Sequence, residues 1–474
     1  MLGRIRSAWN ALTGPSFDPA AAFDEHLSRT SLEAGETTEL NRDHWRGVCD
    51  QPINDAIADR GDTIRARATH ESWNNCNLEG LILSHSLAVA GENGPLLDMW
   101  GETSEDDRWC DEAEQVWEEW CTVSDAGGQW TLGTRIKQHW NNSCWTTGDA
   151  IDQLIYDASA PTPIKLRLFG IETPRLRTPQ THWHDTNVVL GVDRAKTRMP
   201  KRYWIADDWH GLSAGGNWIP AAYIQHIFDC KEVGQARGLA WAATGLPVAA
   251  EIREYDDAVM EAARNAAELA MLAVTNHPDA KFMKAANDLK LKRRALNHVA
   301  PGWEVKTLQS NQPHANYKEH RHERLGDLGR GKGVPSMVTR LDARDHNYSS
   351  ARFDYSLMHL SAEHVRASLY SPAIYRLVSL VIGEAILRGI LDPRPLRYWK
   401  HLIWSPAPQI DEMKSARSEQ IYLGNGTESY SEACASRHGR RAADVIRARK
   451  RDARLLKEAG LTSASEQPTA SGRA

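Results

Sequence analysis

The stretch from Lys318 to Leu391 limits the fold more than any other part of this 474-residue chain. It opens with a helix-like run, Lys318 to Leu328. The run breaks at Gly329-Arg-Gly-Lys-Gly333-Val-Pro335, where glycine relaxes the backbone and proline cannot continue a helix. An irregular polar segment is expected from Ser336 to Asn347. Beyond Tyr348 a long amphipathic run begins, with Leu357, Leu360, Val365, Leu369, Leu377, Val381, Ile382, Ile386 and Ile390 mostly at helical spacings. Pro372 lies inside it and has no N–H to bond Ser368, so a kink or restart is expected there. Asp392-Pro393 is expected to end it, since a residue before proline avoids helical angles.

The rest of the chain divides by pattern. Met1 to about Glu39 is weakly patterned and reads as a partly disordered arm. A helix is expected from Asn41 to Asp59, with Trp45, Val48, Ile53 and Ile57 on one side. Trp109, Ala113, Val116, Trp117, Trp120 and Cys121 form one helical face, and Asp111, Glu114, Glu118 and Glu119 read as its solvated opposite. Leu132, Ile136 and Trp140 mark another helix. Strand patterns occupy Pro163 to Glu172, Asn187 to Asp193 and Arg202 to Asp207. One more is expected from Ile219 to Phe228, with Pro220 near its start. A helix from about Ala249 to Val274 carries a narrow seam of Ile252, Tyr255, Val259, Ala262, Ala266 and Ala270. After Asp392 three or four short helices are expected; Ser429-Tyr-Ser-Glu432 has capping-box spacing, and Gly439 suits a C-cap. Thr462 to Ala474 is small and polar and reads as disordered. The class is α+β, mainly helical.

Composition excludes several functions. A net charge of −5 rules out a generally basic nucleic-acid binder, so DNA contacts would need local patches or a shaped channel. Tryptophan, 18 in all, falls mostly between Trp73 and Trp218 and reads as core and interface anchoring. The 7 cysteines are scattered without a Cys-x-x-Cys pair, which argues against zinc ribbons and a disulfide framework. No signal peptide is read at the N-terminus, and no apolar run is expected to reach bilayer-spanning length, so a protein made in the cytoplasm, without a membrane partner, is expected.

Candidate chemistry is sparse. Gly326-Asp-Leu-Gly-Arg-Gly331-Lys332-Gly333 resembles a phosphate-binding loop in glycine and lysine spacing. Gly333 stands where a magnesium-binding hydroxyl belongs, and a helix precedes the loop instead of a strand. A P-loop-like nucleotidase acting on nucleic acid is the alternative this feature keeps open; a monomeric DNA-binding module is a third. His182-x-His184 and His320-x-His322 lack metal-site spacing and read as surface histidines. Two basic runs remain. Lys290, Lys292, Arg293 and Arg294 suit a partner protein or DNA. Between Arg437 and Lys457, nine Lys/Arg face two Asp, and Arg447, Arg449, Lys450 and Arg451 need either DNA phosphates or acidic faces on neighbouring subunits.

The order of short helix, Gly333-Val-Pro335, polar loop, Asn347-Tyr-Ser-Ser-Ala-Arg352 and long helix resembles the portal proteins of tailed phages, specifically the lambda-like family. Trp117-x-x-Trp120, Gly191-Val-Asp193, Pro220-Ala221, His226-Ile-Phe228, Gln235-Ala-Arg237-Gly238 and Ala300-Pro-Gly302 add to it. The resemblance implies a portal fold: an N-terminal arm (1–40), a wing (41–248), stem helices (249–274 and 313–334) and a clip (275–312). A channel loop (335–348), a long wing helix (349–391), a helical crown (392–461) and a tail (462–474) complete it. It also implies a ring, typically of twelve subunits, at one capsid vertex of the virion, with no catalytic residues and no cofactor. Its expected partners are double-stranded DNA contacted without sequence reading, the terminase large subunit, head-completion or adaptor proteins, and the major capsid or scaffold protein. Arg340, Arg344, His346 and Asn347 would face the channel.

Overall fold

A computed structural model describes residues 43, 46–209, 215–268, 272–275, 303–306, 316–393, 398–409 and 411–460; of 265–268, 272–275 and 303–306 it describes the backbone alone. The chain forms two compact units, Met1–Pro52 and Ile53–Ala474. In the first, residues 46–52 are turn or irregular backbone, so within the described residues the helix expected over Asn41 to Asp59 is helical only from Ile53. Pro52 stands immediately before that first helical residue.

The second unit starts with helices α1 (Ile53–Asn74) and α2 (Cys76–Ala90), strand β1 (Leu96–Gly101) and helix α3 (Ser104–Thr122). Helix α4 runs as Leu132–Arg135, a π-helical turn Ile136–Asn141, and Asn142–Thr146. Strands β2 (Asp149–Tyr156), β3 (Leu166–Ile171) and β8 (Ile224–Phe228) form one antiparallel sheet in the order β3-β2-β8. A second holds β4 (Val188–Val189), β5 (Val192–Arg194), β6 (Pro200–Ala206) and β7 (Gly216–Pro220) in sequence order. Leu190 and Gly191, both at positive φ, turn the chain between β4 and β5 as a two-residue hairpin requires. The single strand expected from Ile219 to Phe228 is divided. Pro220 ends β7, a 3-10 turn at Ala221–Tyr223 follows, and β8 joins the other sheet.

Helix α5 (Leu246–Glu268) leads to a backbone pairing of β9 (Leu272–Thr275) with β10 (Trp303–Lys306). Helix α6 (Tyr317–Arg330) returns against α5. Asp256 accepts from the Tyr317 hydroxyl at 2.7 Å and from Arg321 at 3.1 Å, and Arg324 pairs with Glu251. The segment expected to be irregular from Ser336 is helical at first, as α7 (Ser336–Arg340), because Met337 and Thr339 turn into the core; the loop proper is Leu341 to Asn347.

The long helix then follows as α8 (Tyr348–Val365), a π-helical turn Arg366–Tyr370, and α9 (Ser371–Leu387). Pro372 sits in the first turn of α9, and the wider π turn accommodates its missing N–H without a break. The helix ends before Asp392. Gly389, at φ +70, lets its own N–H reach Ile386 O and the Ile390 N–H reach Ala385 O, the Schellman pattern. By length and composition, Tyr348–Leu387 is apolar enough to cross a bilayer, contrary to expectation. Ala362, Ile374, Leu377, Val378, Val381 and Ile382 are buried in the protein core, which accounts for that composition.

Beyond it, β11 (Tyr398–Ile403) pairs antiparallel with β1. Helices α10 (Glu412–Asn425), α11 (Tyr430–His438) and α12 (Ala442–Glu458) close the described chain. Ser429 caps α11 with Glu432, and Gly439 ends it in the left-handed conformation, both as expected. The principal core joins α2, α3, α4 and α9 around Trp117, Trp120, Trp140, Trp145 and Leu377. Two of its indole N–H groups are spent within it: Trp120 donates to Leu166 O at 2.8 Å and Trp140 to Asp152 at 2.6 Å. A smaller core of Ile151, Ile171, Val192, Tyr203 and Ile224 lies between the sheets.

Candidate functional site

The Gln235-Ala-Arg237-Gly238 motif is a structural clamp. Arg237, 2 % exposed, grips the fully buried Asp149 at the start of β2 with Nε and Nη2, the latter at 3.1 Å. It also donates to Leu176 O at 2.6 Å and Thr173 O at 3.2 Å, while His226 Nε2 lies 3.2 Å from the same carboxylate. Burial would raise Asp149, but the charge of Arg237 and hydrogen bonds from His226 and Arg237 outweigh it and hold the carboxyl well below its usual range. Gln235 supports the turn, accepting from Lys231 N at 2.8 Å and donating to Arg237 O at 2.7 Å. A Cβ on Gly238 would collide with the Gly148 carbonyl, so two strands of backbone meet there only because both residues are glycine.

At the helix break, Lys332 is occupied. Its Nζ bonds Asp229 at 2.6 Å and lies 4.5 Å from the centre of the Trp241 ring. A Cβ at Gly331 would stand 2.6 Å from Thr244 Oγ1, and one at Gly329 would clash with Thr339 and Val334. These glycines let α6 pack closely against its neighbours, and the lysine is committed to the protein. That arrangement gives the P-loop reading no support.

Asp345 organises the loop that follows. Lys318 at 3.8 Å, His322 at 3.5 Å and Arg340 at 3.6 Å all converge on it, tying the loop to α6. Arg340 is turned inward, with its side chain 9 % exposed, and is not the open cation that sequence suggests. Arg344 is exposed and forks onto Asp342, whose carboxyl is held low chiefly by those hydrogen bonds. His346 packs beside Asp354 at 3.3 Å, and Asn347 is the N-cap of α8, accepting from Ser350 N at 2.9 Å. Tyr348 and Phe353 are exposed, as are Leu341, Leu357 and Leu360. The buried side of α8 carries Met358, Ala362 and Val365.

The C-terminal basic run divides. Arg441, 4 % exposed, crosses to α3, donating to Leu97 O at 2.6 Å and lying 2.6 Å from Glu118 and 3.4 Å from Glu114. Arg447 reaches Asp111 at 3.4 Å and Asp444 at 3.1 Å. The acidic side of α3 is therefore a docking face and not simply a solvated one. Glu114, which also accepts from Met99 N at 2.6 Å, is raised to about 7 by burial despite the Arg441 charge. Arg449, Lys450 and Arg451 are exposed, with Arg451 3.7 Å from Asp452. Lys290, Lys292, Arg293 and Arg294 lie outside the described residues. His182 packs edge-on to Trp218, and among the described residues no His/Cys/Asp/Glu group has a metal-binding arrangement.

Sequence reading missed three buried arginines that hold the elements together. One is Arg441. Arg366, from the π turn, donates to Val89 O at 2.8 Å, Ala88 O at 2.8 Å and Ser405 O at 3.0 Å. Arg135 joins Asp125 and Asp152. No periodic signal marks them, because each partner is distant in sequence or is backbone.

These features define a mostly helical α+β protein whose signature residues serve structure. The sequence pattern of the phage portal proteins, lambda family, matches residues 40–357, and the chain belongs to that family of structural, non-enzymatic virion proteins. No curated protein matches the chain. Among solved structures, it is similar to a chain in the neck of an empty GTA particle, at 14 % identity and TM-score 0.44, covering 79 % of this chain and 92 % of that one. A chain of the virion of a native gene transfer agent particle is similar at 13 % identity and TM-score 0.44, with the same coverage of 79 % and 92 %. An HK97-family portal protein from Corynebacterium diphtheriae is similar at 15 % identity and TM-score 0.32, covering 62 % and 85 %.

Proposed function

We propose that copies of this chain close into a ring, on the order of twelve subunits, at one vertex of a phage capsid, through heterologous contacts that repeat around an axis. Double-stranded DNA is packaged and ejected through the ring, the terminase large subunit and head-completion proteins dock on it in turn, and capsid or scaffold protein surrounds its wing. The observation that carries this reading is the family match over residues 40–357. The exposed apolar side chains of α8 supply surface for lateral contacts, and α10 and α12 bury no residue within their own chain. The proposed wing is 41–248 with 349–391, the stem α5 and α6, the clip 275–312 and the crown 392–461. The loop from Leu341 to Asn347 then borders the channel. Its paired Asp342, Arg344 and Asp345 present mixed charge, which contacts phosphates without gripping them. Gold-labelled chain in assembled particles tests the proposal. One label cluster per capsid, at a single vertex, is expected; labels spread over all vertices or absent from particles would overturn it.

A further inference from the structure

A large cleft opens between the β1–β11 pair, α8 and the helices α11 and α12, with a volume of about 1270 Å³. Five carboxylates line it: Asp98, Asp107, Asp111, Glu363 and Glu432. Against them stand Arg366, whose Nε and Nη2 are spent on backbone carbonyls, and the histidines His359 and His401, the first held by Glu363 at 3.0 Å. Burial, the largest influence on Asp98, raises its carboxyl even with Arg441 and His401 nearby.

The same chain carries a matching object. Helix α12 buries none of its residues, shows Ile446 and Leu455 at 56 % and 49 % exposure, and presents Arg449, Lys450, Arg451 and Arg454 to solvent. Its first turn already lines the cleft through Ala442 and Ala443, while the basic half lies beyond. A helix about 10 Å across rises 1.5 Å per residue, so the cleft volume corresponds to roughly ten residues of helix, the length of α12 from Arg449 to its end at Glu458. Within one chain Arg441 and Arg447 show the same logic, docking basic residues on acidic α3.

We infer that the basic half of α12 from one subunit seats in the acidic cleft of the next, linking crown to wing around the ring. This rests on the ring reading above. A cleft and a helix end that are different surfaces of one chain make a heterologous contact, which closes only by repetition around an axis. DNA is the competing partner for these cations, and the two make different demands: a phosphate surface would leave Asp107 and Glu432 of the cleft without a cation partner.

The test uses full-length chain. Lys450→Glu with Arg451→Glu reverses the helix charge, and Asp107→Lys with Glu363→Lys reverses the cleft. Either pair alone is expected to weaken each subunit contact by about tenfold at low salt, from lost attraction and added repulsion, read as ring dissociation on dilution. All four together are expected to restore it. Wild-type rings with helix variants that dissociate no more readily, or with no rescue by the fourfold variant, would overturn the inference and leave the ring reading intact. Helix variants that lose DNA binding while their rings stay equally stable would assign α12 to DNA instead. Wild-type protein that forms no rings would refute both readings.

Discussion

Replacing Arg237 by Met removes the cation that balances Asp149 while keeping most of the side-chain volume. Asp149 is fully buried and Arg237 nearly so, and His226 and the Gly238 N–H at 3.4 Å would be left as the hydrogen-bond partners of the carboxylate. Breaking a buried pair from one side costs about 3–5 kcal/mol, because the other charge is left desolvated. At about 2.1 cal/mol/K of unfolding entropy per residue, a cooperative unit of roughly 420 residues loses its midpoint by ~1 °C per kcal/mol, so a fall of ~4 °C is expected. The pH dependence follows from the sign of the shift. In the native protein the Asp149 carboxyl is depressed below its ordinary 3.8, so its stability contribution is present above that value and lost as pH falls through the folded pKa. Without Arg237, burial dominates and lifts the carboxyl, so the deficit of the variant narrows as pH falls from about 8 toward 5. Thermal midpoints by scanning fluorimetry, at fixed protein concentration, measure both effects. Asp149→Asn combined with Arg237→Met should cost less than the sum of the single changes. A midpoint unchanged within 1 °C, with no pH dependence, would refute the clamp.

Three further outcomes are expected. Glu114, raised to about 7 against 4.5 for a free carboxyl, contributes stability that is full below about 4.5 and lost as pH rises through about 7; Glu114→Gln should flatten the fall in thermal midpoint over that window. Gly238→Ala should prevent native folding, judged by loss of soluble protein, whereas Gly80→Ala, on a helix with open space around it, should be neutral or slightly stabilising. Arg340→Ala with Arg344→Ala should leave assembly intact but lower the amount of genome packaged or retained, read from the DNA content of purified particles. Normal full heads would remove these two residues from the channel.

What the sequence made legible was local. The Ser429 cap, the Gly439 stop, the break at Gly329 to Pro335 and the tryptophan face of α3 each depend on residues within a few positions. Partners far along the chain hid the rest. Strand β2 was missed because Asp149 and Asp152 are polar yet buried, held by Arg237 and Arg135. Strand β11 finds its partner in β1, some 300 residues earlier, with nothing in either run to announce it. Helical period located α8 but not its buried face, since Leu357 and Leu360 point outward while Met358 and Ala362 point in. Arg340 was read as facing a channel, and its contact with Asp345, which ties it back to the fold, was not foreseen.

Images of the purified full-length chain test the central claim most directly. The account predicts closed rings of uniform diameter with an axial hole wide enough for duplex DNA, about 20 Å, at micromolar concentration. A folded, monodisperse monomer under the same conditions, with no ring at any concentration or salt, would contradict it.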